Sequence, residues 1–153
     1  AAMIAEGFTV ASKACGITSV EEARALFDVQ LPHYWHHRYT FGPSTASAGS
    51  RAFSRASTDI LVINVIVPLL HAYGTCFGNE RMQQRAIELL EALPPEHNTI
   101  TRLFSDAGIQ CRDAFTSQAL IQLRRAYCEP RKCLYCRLGH HFLSRKAKYN
   151  LAQ

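Results

Sequence analysis

A chain of 153 residues and 17.1 kDa can bury one core of ordinary size. Its 48% hydrophobic and 19% charged residues are the composition of a globular protein, not of a disordered or membranous one. The formal charge of +5 is concentrated: residues 124–148 hold eight Lys or Arg against the single acid Glu129, a balance of +7, and the first 123 residues carry −2. Six unevenly spaced cysteines point away from a secreted disulfide scaffold and toward a reduced, cytoplasmic compartment with a candidate metal site.

Residues 1–15 read as the tail of a helix carrying Met3, Ile4, Phe8 and Val10, closed by Gly16. Thr18 with Glu21 three residues later predicts a capping box and a helix through Ala23, Leu26 and Phe27. In the aromatic stretch that follows, Pro32 suits the first turn of a short helix, on which His33 and His37 lie four apart on one face. No cysteine or carboxylate nearby completes a zinc site with them, so an aromatic clamp is the favoured reading. Residues 42–57, rich in Ser, Ala, Gly and Arg, are expected to be a mobile loop, with Arg38, Arg51 and Arg55 as solvated residues.

Ser57 or Thr58 is expected to cap a helix, about residues 58–74, that is apolar on nearly every side and forms the centre of the fold. Its apolar run, Ile60 to Tyr73, is shorter than the about 20 residues a bilayer requires, so no membrane partner is expected. Pro68 predicts a kink, freeing a carbonyl near Asn64 for the Asn64 amide or a water. His71 is expected to be a hydrogen-bonded core residue. Asn79 and Glu80 open an amphipathic helix through Met82, Ala86, Leu89, Leu90 and Leu93, which Pro94 and Pro95 end.

Residues 96–107 form a further helix through Ile100, Leu103 and Phe104, with Gly108 as its left-handed C′ residue. Asp106 and Asp113 read as caps, while Phe115 and Thr116 read as a hydrophobic staple and N-cap of the next helix. That helix places Ala119, Leu120, Leu123 and Tyr127 on one face and stops near Cys128, because Pro130 disfavours helix at Glu129. A basic helix from Leu138 to Ala152, anchored by Leu138, Phe142 and Leu143, closes the chain. The short links predict one all-α domain over residues 1–153, an irregular bundle of six to eight helices around the central one.

The run Ser117–Leu123, with Tyr127, Cys128, Lys132, Cys133, Leu134, Cys136 and Gly139, resembles the C-terminal half of a Bacteroidetes family of unknown function. The resemblance extends back through Asn98, Pro94, Asp59, Ile60, Asn64, Val65, Val67 and Pro68 to Tyr34, Trp35, Tyr39 and Phe41. Arg38, where His is expected, and Cys111 depart from it. Members of that family are longer, and the half missing here carries an acidic pattern that looks like a restriction-nuclease core. The resemblance therefore implies an N-terminal half of the same protein as a partner, and it carries no catalytic residue onto this chain.

Cys128, Cys133 and Cys136 stand in the spacing C-x4-C-x2-C, at a helix end and a tight turn. With His140, His141 or Cys111 as fourth ligand they would suit zinc, and an iron–sulfur cluster is the second candidate. The alternatives are three small hydrophobes packed under the last helix, or thiol–disulfide chemistry, for which the strand of a thioredoxin-like motif is lacking. Arg124, Arg125, Arg131, Lys132, Arg137, Arg145, Lys146 and Lys148 are expected to form a basic face that attracts nucleic-acid phosphates. No nucleophile with an adjacent base, glycine-rich phosphate loop or carboxylate pair stands out, so the chain does not read as an enzyme. A structural or protein-interaction domain is the alternative function.

Overall fold

The computed structural model describes residues 10–29, 32–38, 40–43, 53–141 and 143, and every regular element among them is helical. The all-α class follows from apolar spacing near 3.6 and from boundaries marked by caps, glycine and proline. Contacts divide the chain into two compact units, Ala1–Pro94 and Pro95–Gln153, where the sequence suggests one domain. The expected structure of residues 1–9, of the loop at 44–52 and of the last helix beyond residue 143 lies outside the described residues.

In the first unit, α1 (Val10–Ala14) and α2 (Val20–Ala25) lead to a 3-10 segment at His33–His37. The cap of α2 is Ser19, one residue later than expected: its hydroxyl accepts the Glu22 N–H at 3.2 Å. The Glu22 carboxylate in turn accepts the Thr18 N–H at 2.6 Å and its hydroxyl at 2.9 Å, and these donors hold it below the usual carboxylate range.

Helix α3 (Arg55–Phe77) begins earlier than the sequence suggests, because Ser54 is its cap and accepts the Ser57 N–H at 3.1 Å. Its middle, Val62–Ile66, is a π turn in which Val67 donates to the Val62 carbonyl. Pro68 follows directly, so the expected disturbance takes the form of this wider turn, and the Asn64 amide donates to the Ile60 carbonyl at 2.9 Å. Val62, Ile63, Ile66, Val67, Leu70 and Gly74 are buried on one side, whereas His71 is exposed and is not a core residue. The whole helix is 23 residues long, which meets by length and composition the requirement that the run Ile60 to Tyr73 alone does not.

Gly78, left-handed at φ 64°, ends α3, and Asn79 caps α4 (Glu80–Ala92) as expected, accepting the Met82 N–H at 3.2 Å. The chain then returns along α3 and buries Ala86, Leu89 and Leu93. Gly74 sits where the two helices approach most closely: a β-carbon there would lie 2.8 Å from the Asn79 carbonyl oxygen and from Gln83 Cγ. Helix α2 is joined to α3 by an ion pair between Arg24 Nε and Asp59 Oδ1, 2.6 Å long, whose side chains are only 15% and 8% exposed.

In the second unit, α5 (Thr99–Asp106) and α6 (Ala114–Leu123) pack together. Asn98 caps α5 in a reciprocal box with Thr101: Asn98 Oδ1 accepts the Thr101 N–H at 3.0 Å, and Thr101 Oγ1 accepts the Asn98 N–H at 3.0 Å. Glu96 ties this box to α6. Its N–H donates to Ser117 Oγ at 3.2 Å, and its carboxylate accepts from the side-chain amides of Asn98 at 3.1 Å and Gln118 at 2.9 Å. Helix α5 ends on Gly108 at φ 85°, left-handed as expected, closed by bonds from Gly108 to Ser105 and from Ile109 to Phe104, both 2.9 Å.

Two variants test this packing. Helix propensity alone favours Gly74→Ala by about 1 kcal/mol, but crowding against Asn79 and Gln83 predicts a net loss of about 1–3 kcal/mol and a lower urea midpoint. A raised midpoint would mean that α3 and α4 do not meet in this register. Removing one partner of the buried ion pair, Asp59→Ala, is expected to cost about 3–5 kcal/mol, and the double change Arg24→Met with Asp59→Leu to recover most of it. A double variant as unstable as the single one would assign the cost to packing, not to a stranded charge.

Candidate functional site

The basic, cysteine-bearing turn is built by the far end of α6. That helix is capped by Asp113, whose carboxylate accepts the Thr116 N–H at 2.7 Å, so Thr116 is its third residue and not its cap. Phe115 consequently lies inside the first turn, 44% exposed. The buried face is Ala114, Ser117, Leu120 and Ile121, rotated from the expected one: Ala119 and Tyr127 are not part of it. A polar Ser117 on the inner face hides this stripe from apolar periodicity.

A second π turn, Arg124–Cys128, continues α6, with Glu129 donating to the Arg124 carbonyl at 2.9 Å. The helical element ends at Cys128 as expected, with Glu129 as its C-cap at φ −61°, ψ −48°. The reversal comes at Arg131, which has φ 56°. Its N–H donates to Cys128 O at 3.1 Å and that of Lys132 to Tyr127 O at 2.8 Å, the double closure that usually has glycine at its left-handed position. Cys136 then donates to Lys132 O at 3.1 Å and to Cys133 O at 3.3 Å. Its sulfur accepts the Gly139 N–H at 3.5 Å as a helical stretch begins at residue 137.

This path places the expected metal ligands. Cys128 is half-buried, Cys133 exposed and Cys136 buried. Among the described residues no three His, Cys, Asp or Glu side chains come together to hold a metal ion, the expected ligands Cys128, Cys133, Cys136, His140, His141 and Cys111 included. The reversal at Arg131 stands between Cys128 and Cys133, and the Cys136 sulfur serves the next helical turn. Burial, together with the Asp113 carboxylate, pushes the Cys111 thiol up.

The histidine expectation changes too. With three residues per turn, the 3-10 segment brings the His33 ring to 5.5 Å from His36 and leaves it 6.4 Å from His37. The aromatic clamp is present, with Trp35 5.0 Å from Tyr34 and 5.1 Å from Phe41, and Arg38 lies over the Tyr34 ring at 4.6 Å.

Of the eight expected nucleic-acid contacts, Arg124 pairs with Glu129 at 3.5 Å, and Arg125, Arg131, Lys132 and Arg137 are exposed around the turn. Arg145, Lys146 and Lys148 lie outside the described residues. Tyr135, 83% exposed, and Leu134, 72% exposed, project from the same turn. Sequence reading missed a cleft of about 480 Å³ beside the start of α5, lined by Glu96, His97, Asn98, Arg102, Ser105 and Cys111. The Asn98–Thr101 spacing signalled the cap there but not the opening. Its carboxylate is committed to two amides, and its thiol is not activated.

Residues 1–99 match a family whose description reads "Protein of unknown function (DUF2851)". The chain belongs to this family. The DUF2851 match takes in Tyr34, Trp35, Asp59, Asn64 and Pro68 and ends at the start of α5, so the basic turn lies beyond it. No curated protein and no solved structure matches the chain.

The Asp113 cap gives a pH test of α6. The Thr116 N–H and hydroxyl lower its pKa, so its stabilising contribution is complete above its unfolded value of about 4 and is lost as pH falls through the lower folded value. Replacing Asp113 by Asn keeps a capping side chain without the charge. The urea midpoint of Asp113→Asn is expected to fall less steeply than that of the parent between about pH 5 and pH 2; parallel curves would remove Asp113 from the acid response.

Proposed function

We propose that the C-terminal unit is a non-catalytic binding module that holds nucleic-acid backbones through Arg125, Arg131, Lys132 and Arg137, continued by Arg145, Lys146 and Lys148. The observation that carries this reading is Arg131. The left-handed position costs a β-carbon-bearing residue about 1–2 kcal/mol, and at two other helix ends the chain places Gly78 and Gly108 in the same conformation. An arginine kept where glycine folds more easily supports a role for its guanidinium beyond folding.

That role is phosphate neutralisation, since exposed bases attract the backbone by releasing condensed counterions, without reading base identity. Tyr135 adds one face on which a base can stack. The thiols have no part in it. We read α3 as a core helix and not as a membrane anchor, since it carries the buried Asp59 pair and packs one face against the amphipathic α4. Beside the nuclease-like half that the resemblance implies, such a module would retain substrate while other residues act on it.

Protein interaction is the second reading, favoured by Leu134 and by Leu138, 51% exposed. Titration of duplex and single-stranded DNA at several salt concentrations decides between them. Log affinity is expected to fall with log salt at a slope of about −0.9 per phosphate contacted, and Arg131→Gly with Lys132→Gln to flatten it by one to two such contacts. Because glycine suits the left-handed position, this variant should fold at least as well as the parent, which separates lost binding from lost structure. No binding to either strand form at low salt would leave the protein-interaction reading.

A further inference from the structure

The pair Cys133 and Cys136 is left over by both the metal expectation and the binding reading. Its two thiols differ in access: Cys133 is exposed, and Cys136 is 8% exposed. The bond from Cys136 N–H to Cys133 O closes a one-turn reversal between them. Residues at the ends of such a turn have α-carbons less than about 7 Å apart, and a disulfide requires about 4.4–6.8 Å. Gly139 maintains the arrangement. A β-carbon at that position would lie 2.5 Å from Cys133 O and 3.0 Å from Cys133 Cα, so only glycine lets the Cys133 main chain lie against the turn that follows Cys136. Among the described residues no third ligand joins the two sulfurs.

We infer that Cys133 and Cys136 form a reversible dithiol–disulfide pair, a modification site for small anionic disulfides of the oxidised-glutathione class. Exposed Arg131, Lys132 and Arg137 flank the pair in sequence, and their positive charge draws an anionic reagent to it. The Cys133 sulfur, the accessible one, loses its proton and attacks one sulfur of the reagent. A Cys133 sulfur–reagent bond forms, the reagent's own S–S bond breaks, and the departing thiolate takes up the proton. The Cys136 sulfur then attacks Cys133, forming the internal disulfide and expelling the second half of the reagent, which leaves as a thiol with the Cys136 proton. One disulfide is reduced to two thiols, and two protein thiols are oxidised to one disulfide.

Trypsin cuts after Lys132 and Arg137, so both thiols leave in one five-residue peptide that contains no other cysteine. The test equilibrates the full chain with oxidised glutathione, blocks remaining thiols by alkylation and maps the peptides by mass. The expected result is residues 133–137 lacking two hydrogens and refusing alkylation, under conditions in which Cys76, an exposed thiol on α3 with no neighbour in sequence, remains alkylatable. Cys136→Ser should accumulate glutathione on Cys133, and Cys133→Ser should leave Cys136 unmodified. A disulfide that maps to Cys128, or glutathione appearing on Cys76 as fast as at residues 133–137 of the parent chain, overturns the proposal. The parent chain alone decides it, so a variant that failed to fold would not obscure the answer.

Discussion

Proline has no amide hydrogen, and within a helix its ring crowds the carbonyl four residues back. Pro68 lies within α3 and Pro130 just beyond the end of α6, and a similar turn precedes each. The π turn Val62–Ile66 precedes Pro68 and the π turn Arg124–Cys128 precedes Pro130, each with the proline two residues after the turn's last residue. In each, the residue before the proline donates five residues back, Val67 to Val62 and Glu129 to Arg124, so the strand of hydrogen bonds continues where a kink or a stop would be expected. Helix α3 thereby stays unbroken over 23 residues and presents one buried face to α4. Helix α6 thereby continues to Cys128, and the chain reverses at Arg131.

Each unit adds a polar tie to this frame. In the first, Arg24 and Asp59 exchange hydration for one short bond, an arrangement that specifies how α2 meets α3 more than it strengthens the contact. In the second, Glu96 spans Asn98, Ser117 and Gln118, and the fully buried Ser117 hydroxyl accepts from Glu96 N–H and donates to Ala114 O at 2.9 Å. Buried polar groups satisfied in this manner discriminate one packing from its neighbours, because any slip strands a donor or an acceptor. Neither tie follows an apolar periodicity.

The proposed function and the fold meet at the end of α6. The cations Arg125, Arg131 and Lys132 surround a helix C-terminus, where they also interact favourably with the unsatisfied carbonyls. Some of that charge therefore serves the helix. The left-handed Arg131 is different, since the helix would end more easily on glycine, as α3 and α5 do. The same reversal that presents Arg131 also separates Cys128 from Cys133 and leaves Cys133 and Cys136 in a turn of their own, so one local conformation decides which residues can act together.

Local chemistry by itself determined much of this protein. Alternation at 3.6 residues made it all-α, Asn79 and Gly108 marked their helix ends, and the composition after residue 123 placed the charge. Such features depend on a few adjacent residues and are complete without knowledge of the fold. The caps at Ser19 and Ser54 were displaced by one to four residues, because several neighbouring hydroxyls compete and packing selects among them, whereas Asp113 was legible as a cap and prevailed over Thr116. The meeting of Arg24 with Asp59, 35 positions apart, and of Glu96 with Ser117 and Gln118 had no trace in spacing at all. The cysteine spacing could not show that the chain reverses at a left-handed Arg131 between Cys128 and Cys133, because that angle is set by how the end of α6 closes.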